Sequence, residues 1–319
     1  MKIILFANSF YPVTLIDSLL KRDMVAGVIA AQELNPYNVR LEESVKMMGI
    51  PFRRFSRSEL SSTAMQWIEN IRPDMILVFT FGYKIPGVVL GIPRLGSYNV
   101  HFSLLPKYRG IAPLFWQIRN GDLKGGITIH CMDGRFDTGP IVSQVSVDIY
   151  PGENQGIYAA RLSYAAVEAV LAAIEIITNQ EPSSYLKAQD ESERSCHKAP
   201  SIHDLTIDWS AQSAAEIVNL VNAANPACQG AITMFRGQMI RVLEVSLAML
   251  GEGAPKYTPG TIVFADVSQG IFVQCIEGEF LRLNVIEMVE GVISGFRMAA
   301  LGVRAGEVFE SFNTEVINF

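Results

Sequence analysis

Cysteine is scarce in this 319-residue chain, and its four copies, Cys131, Cys196, Cys228 and Cys275, are scattered with no C-x-x-C pair among them. That spacing excludes a zinc ribbon and a disulfide framework. No metal is expected, and a reducing, cytoplasmic setting is predicted. Charge is thin as well. Asp, Glu, Lys and Arg make up 18% of the residues and the net charge is −6, so the global basic footprint of a nucleic-acid binder is missing. Long apolar runs are absent too. None reaches the roughly 18 residues that a membrane span needs, and the nearest candidate, AAVEAVLAAIEIIT, is interrupted by Glu168 and Glu175. The N-terminal MKIILFANSF carries one lysine and a short apolar stretch, less than a secretory signal requires. No G-x-G-x-x-G follows the first apolar run, which excludes a classical dinucleotide site. No internal repeat stands out.

Core material, by contrast, is plentiful: 49% of the residues are hydrophobic, and the length favours two domains. The first half alternates strand and helix patterns in the manner of a doubly wound α/β sheet. KIILFA (2–7), MVAGVIA (24–30), PFRRF (51–55) and DMILVFTF (74–81) read as strands. TLIDSLLKR, RLEESVKMMG and SELSSTAMQWIENI read as helices between them, the last opening on a capping box at Ser58. Further on, APLFWQIRNG is a predicted helix closed by Gly121. GGITIHCMD and GPIVSQVSVDI are predicted strands, and QGIYAARLSYAAVEAVLAAIEIITNQ is a long helix. Residues 181–200 are polar, aperiodic and end in Pro, as a linker would. Beyond them, after the helical SAAEIVNLVNAAN, short alternating segments are separated by RG, SQG and EGE turns, which predicts a small β-barrel. The expected organisation is a Rossmann-like catalytic domain at 1–180, a linker at 181–200 and an OB-like barrel domain at 201–319.

One stretch carries chemistry. In NVHFSLLPKYRG (99–110), Asn99 and His101 are two apart, so on a strand both point to one face. Doubly wound sheets present their reactive groups at strand C-termini. Asp137, in DGRFDTGP, lies between Gly134 and Gly139, which permit a tight loop that brings a carboxylate into another strand's cleft. An amide, an imidazole and a carboxylate can donate to an oxyanion and shuttle a proton, and no Ser or Cys nucleophile stands at matching spacing. The residues alone therefore indicate acyl or amine chemistry. His130, in mid-strand, reads as a packing residue.

GSYNVHFSLLPKYRGIAPLFWQIRNGDLKGGITIHCMDGRFDTGPIVSQ (96–144) resembles the signature of the 10-formyltetrahydrofolate-dependent formyltransferases, which include methionyl-tRNA and amino-sugar formyltransferases. The N-x-H pair, SLLP, RG-x-AP and D-x-G stand in order. IDW…AAEIVNLVNAANP…QGA…PGTI is similar to that family's C-terminal barrel. The resemblance implies that a primary amine attacks the formyl carbon of 10-formyltetrahydrofolate. It assigns Asn99, protonated His101 and Asp137 to catalysis. It also implies a pterin cleft at Phe81, Gly82, Tyr83 and Ile85, closed by Asp133, Gly134 and Arg135. Arg109 is available for an anionic part of a substrate.

The acceptor is where the pattern departs. The resemblance implies a long Gly/Lys/Arg-rich insertion after the second strand in tRNA-directed members, whereas this chain has AAQELNPYNVRLEES, with no lysine. The barrel's aromatic–proline segment is reduced to NPACQGA. A small amine, such as a nucleotide-linked amino sugar or a modified amino acid, is the expected acceptor, with initiator methionyl-tRNA as the alternative. Hydrolysis of formyltetrahydrofolate, with water in place of the amine, would use the same residues.

Overall fold

The computed structural model describes residues 1–249 and 257–312. Residues 250–256 and 313–319, parts of the expected second domain, lie outside the described residues. Two compact units are present. One comprises Met1–Pro113, Lys124–Asp148 and Ala159–Lys198; the other comprises Leu114–Leu123, Ile149–Tyr158 and the chain from Ala199.

Up to Lys198 the elements run β1 (Ile3–Ala7), α1 (Val13–Leu20), β2 (Val25–Ala31), α2 (Pro36–Met47), β3 (Phe52–Phe55), α3 (Thr63–Ile71), β4 (Met75–Phe79) and α4 (Gly87–Leu90). They continue with β5 (Ser97–His101), β6 (Arg109–Gly110), α5 (Pro113–Arg119), β7 (Lys124–Cys131), β8 (Ile141–Asp148), α6 (Gln155–Asn179), α7 (Pro182–Tyr185) and β9 (Cys196–His197). The main sheet has the order β3-β2-β1-β4-β5-β7-β8. The first five strands are parallel, and β7 and β8 join antiparallel. Strand order reverses beside β1, the switch point at which such sheets open a cleft at their carboxyl ends. Every residue of β1 and β4 is buried, as unbroken apolar runs covered on both faces must be.

Two helix starts differ from the sequence expectation. α2 begins four residues early because Asn35 caps it: its side chain accepts from the Asn38 backbone while the Asn38 amide accepts from Asn35 N–H. Ahead of α3, a 3₁₀ turn fills Ser58–Ser61 and Ser58 makes no cap. The exchange belongs instead to Ser56 and Glu59, whose carboxylate accepts from the Ser56 backbone and hydroxyl.

The second unit contains α8 (Ile202–Leu205), α9 (Ala214–Ala224), β10 (Ala231–Phe235), β11 (Gln238–Ala248), β12 (Ile262–Asp266), β13 (Gly270–Gln274), β14 (Phe280–Met288), β15 (Gly291–Ser294), α10 (Gly295–Ala300) and β16 (Phe309–Glu310). These strands form a curled antiparallel sheet, β12-β13-β14-β11-β10-β16, with β15 paired to β14. Its ends meet: Ile262 N donates to Glu307 O and Phe309 N to Gly260 O, both at 2.8 Å. A small OB-like barrel results, with Trp209, Phe235 and Phe309 stacked in its core. Trp209 Nε1 satisfies its single donor on Thr233 Oγ1 at 2.9 Å.

Candidate active site

Asn99 and His101 project from the carboxyl end of β5 on one face, because side chains two apart on a strand share a side. The antiparallel neighbour β7 places His130 directly opposite Asn99. Asp137 descends from the turn between β7 and β8 with φ at +54°, a left-handed conformation that costs a non-glycine residue about 1 kcal/mol or more. Four side chains from three segments thus converge.

The contacts are reciprocal. Asn99 Nδ2 donates to Asp137 Oδ1 and to His130 Nε2, each at 3.2 Å. His130 Nδ1 gives its proton to the Cys131 carbonyl at 2.8 Å, which leaves Nε2 as the acceptor. His101 Nε2 donates to the Tyr108 carbonyl at 2.9 Å, so its Nδ1 is the bare nitrogen. That Nδ1 lies 3.7 Å from Asp137 Oδ1, and His130 Nε2 lies 3.6 Å from the same oxygen. Asp137 Oδ2 accepts from Gly110 N at 2.9 Å.

Electrostatics follow from this arrangement. Burial opposes charge on Asp137, but His101, His130 and the Gly110 N–H outweigh it and hold the carboxyl well below the usual range, so it is ionised. Burial also pushes His101 below the ordinary imidazole value; Asp137 resists this and His130 reinforces it. Burial thus works against the imidazolium, and Asp137 with the Tyr108 carbonyl works for it. One nitrogen of each ring faces the same Asp137 oxygen, so the three groups together form a place where a proton can be taken up and released.

Around this centre the remaining candidates take different positions. Phe81, after β4, meets Phe6 and Tyr83 edge-on at 5.1 and 5.4 Å. Ile85 is buried in the core beside them, and Gly82 is exposed with open space around its Cα. The Tyr83 hydroxyl is buried without a hydrogen-bond partner, and Arg57 lies over its ring at 5.7 Å. Asp133 accepts from Arg135 N and Thr138 Oγ1, both at 2.8 Å, and so ties the turn that carries Asp137. Gly134 and Arg135 are exposed on that turn.

Arg109 is 4% exposed. Its guanidinium is engaged by Gln189 Oε1 at 2.6 and 3.0 Å and by Glu191 at 2.7 and 3.2 Å. These partners come from the polar stretch after α6, which continues as β9 beside β6. Tyr108 N donates to Ser195 Oγ at 2.8 Å, and the Tyr108 ring stacks on His197 at 5.2 Å. Gly110 permits the pairing, since a Cβ there would overlap the His197 carbonyl. Among the described residues no group of three or more His, Cys, Asp or Glu side chains is arranged to hold a metal ion, and no helix is long and apolar enough to cross a membrane.

With this geometry in view, residues 1–174 match the formyl transferase family and residues 201–294 match its C-terminal domain. The chain belongs to the formyl transferase family. It is 35% identical over 216 residues to a methionyl-tRNA formyltransferase of Geotalea uraniireducens, covering 67% of this chain and 65% of that protein. HypX from Aquifex aeolicus, solved with tetrahydrofolic acid, superposes with a TM-score of 0.68 at 15% identity, covering 98% of this chain and 51% of that one. An N-formyltransferase from Helicobacter canadensis, solved with folinic acid and dTDP-3-aminofucose, gives 0.65 at 17% identity, covering 89% and 98%. The fold of this family member is therefore shared with both structures.

Proposed function

We propose that this chain moves a formyl group from 10-formyltetrahydrofolate to a small primary amine, of the kind carried by a nucleotide-linked amino sugar. The convergence of His101, His130 and Asp137 beside the Asn99 amide carries the reading, because amine acylation must remove a proton from the attacking nitrogen. A reduced folate fits the region after β4, where the half-buried rings of Phe81 and Tyr83 offer an apolar wall. When bound, it supplies the formyl carbon on N10.

Asn99 Nδ2 holds the formyl oxygen as the amine nitrogen bonds to carbon and negative charge moves onto that oxygen. His101 Nδ1 takes the proton that the amine sheds, and Asp137 Oδ1 stabilises the imidazolium so formed. The same proton passes to the departing folate nitrogen as its bond to carbon breaks, and His101 returns to its neutral form. Asp133, Gly134 and Arg135 border the cleft on the other side. Arg109, buried and held by Gln189 and Glu191, is linked through Gln189 to the backbone of Asp137.

The short connection after β2 favours a small acceptor. Only residues 32–35 separate β2 from α2, none of them basic, and Asn35 and Asn38 fix them by capping. The second reading, formylation of initiator methionyl-tRNA, is favoured by the name that the curated relative carries and by the barrel. The deciding assay offers both acceptors separately, each with 10-formyltetrahydrofolate and with His101→Ala as the blank. Transfer to a dTDP- or UDP-amino sugar and none to charged tRNA supports the proposal. Transfer to tRNA alone overturns the acceptor, and formate release without any amine identifies a hydrolase.

A further inference from the structure

The stretch between α6 and β9 does more than connect. Lys187 pairs with Ile141 through two backbone hydrogen bonds of 2.8 and 2.9 Å, which fixes it against the start of β8. Two residues on, the Gln189 side chain enters the gap between the Asp137 turn and the Arg109 loop. Its Nε2 donates to the Asp137 carbonyl at 2.9 Å and to the Gly139 carbonyl at 2.8 Å. Its Oε1 accepts from Arg109 Nε and Nη2. All four bonds that a carboxamide can form are in use. An amide is required: a carboxylate would face two carbonyl oxygens, and an apolar side chain would free the turn.

The turn needs a hold. Asp137 stands at φ +54°, and a free chain would relax it toward commoner conformations. The next residues are crowded, since a Cβ at Gly139 would overlap the Cys131 carbonyl. Arg109, in turn, is anchored by Glu191 on the same stretch.

We propose that Gln189 is a positioning residue, which clamps the backbone of Asp137 and Gly139 to the buried Arg109 and thereby aims the Asp137 carboxylate at His101 and His130. This rests on the functional reading above only for what the carboxylate then does; the clamp itself is a claim about geometry. Asp137, His130 and the Tyr108 carbonyl are the groups that face His101. Since Asp137 draws the His101 titration upward, loosening the turn moves that titration down.

The test is imidazole NMR titration of His101 in substrate-free protein, for wild type, Gln189→Met and Gln189→Asn, each repeated in an Asp137→Asn background. Met keeps the length without the hydrogen bonds. Asn keeps the amide but cannot span the gap, so a folding failure of either variant, checked by circular dichroism, leaves the other to decide. A lower His101 midpoint in the Gln189 variants, with no further fall once Asp137 is Asn, supports the clamp. An unchanged midpoint in a folded variant overturns it, as does an equal fall in both backgrounds. In turnover, kcat falls on the order of 100-fold, the effect of a misplaced reacting group, while KM for the folate stays within about twofold. Absence of formyl transfer by the wild type would sink the functional reading and leave the titration result standing.

Discussion

His101 and His130 stand on neighbouring antiparallel strands with ring centroids 6.4 Å apart and planes at 78°, and each spends one ring nitrogen on a backbone carbonyl. Their remaining nitrogens both turn to Asp137 Oδ1. The two rings are nevertheless not equivalent. His101 is the last residue of β5 and gives its Nε2 proton to the Tyr108 carbonyl, whereas His130 lies within β7 and receives an Asn99 N–H.

That difference predicts a graded loss of activity. Replacing Asn99 by Ala removes the donor to the charged oxygen, and kcat is expected to fall by about 100- to 1,000-fold. His101→Ala removes the proton acceptor and lowers kcat by about 100- to 10,000-fold. His130→Ala removes only a partner of Asn99 and Asp137. The expected loss is about tenfold, the value of one hydrogen bond. Steady-state formyl transfer ranks the three variants, and a His130 effect as large as that of His101 would reassign the proton acceptor.

The unequal roles also explain what the sequence made legible. Parallel strands announce themselves as apolar runs, and Asn99 with His101 shows as a polar pair on one strand because the period of two is local. His130 has no local signal. It joins the site through the pairing of Asn99 with His130 across 31 residues, a register that composition does not encode. The alternation that places Thr128 and His130 on one face of β7 was the available hint, and it reads equally well as packing. The polar segment at 181–200 raises the same difficulty. Polar character marks a connection, yet Gln189, Glu191 and Ser195 spend that polarity on Arg109 and on the backbone around it. Composition does not tell a side chain that faces water from one that faces a carbonyl.

Gly139 yields a stability prediction. With the Cys131 carbonyl where a Cβ would lie, and with Cys131 N bound to Pro140 O at 2.9 Å, Ala at this position must push β7 and the turn apart. Overpacking of this kind costs about 1–3 kcal/mol. Gly139→Ala is expected to lower the urea midpoint of the wild type and to reduce activity with it, whereas Gly134→Ala, on the open side of the same turn, leaves the midpoint within error.

The barrel offers an independent check on its own packing. Trp209 Nε1 and the Glu310 carbonyl share the buried Thr233 hydroxyl, at 2.9 Å each. Thr233→Val keeps the shape but strands an indole donor, at about 1–3 kcal/mol. Intrinsic Trp fluorescence during urea denaturation should report an earlier transition, and an unchanged transition would mean that water replaces the hydroxyl.

The pH dependence follows from the two depressed titrations at the centre. His101 in the unfolded chain titrates near 6.5, while burial lowers it in the folded protein. Between those values the unfolded form binds the extra proton, so stability falls as pH drops through this window and is flat above it. Asp137 acts at lower pH with the same sign. Its folded pKa lies below its unfolded value, so its contribution is present above about pH 4 and is lost as pH falls toward the folded pKa. The lowered titration favours at pH 7 the neutral ring that can take a proton from an amine. Imidazole NMR on the wild type should place its midpoint below 6.5. A midpoint well above 7 would make His101 a cation in the resting site at pH 7, and its part would then change from accepting the amine's proton to holding the formyl oxygen alongside Asn99.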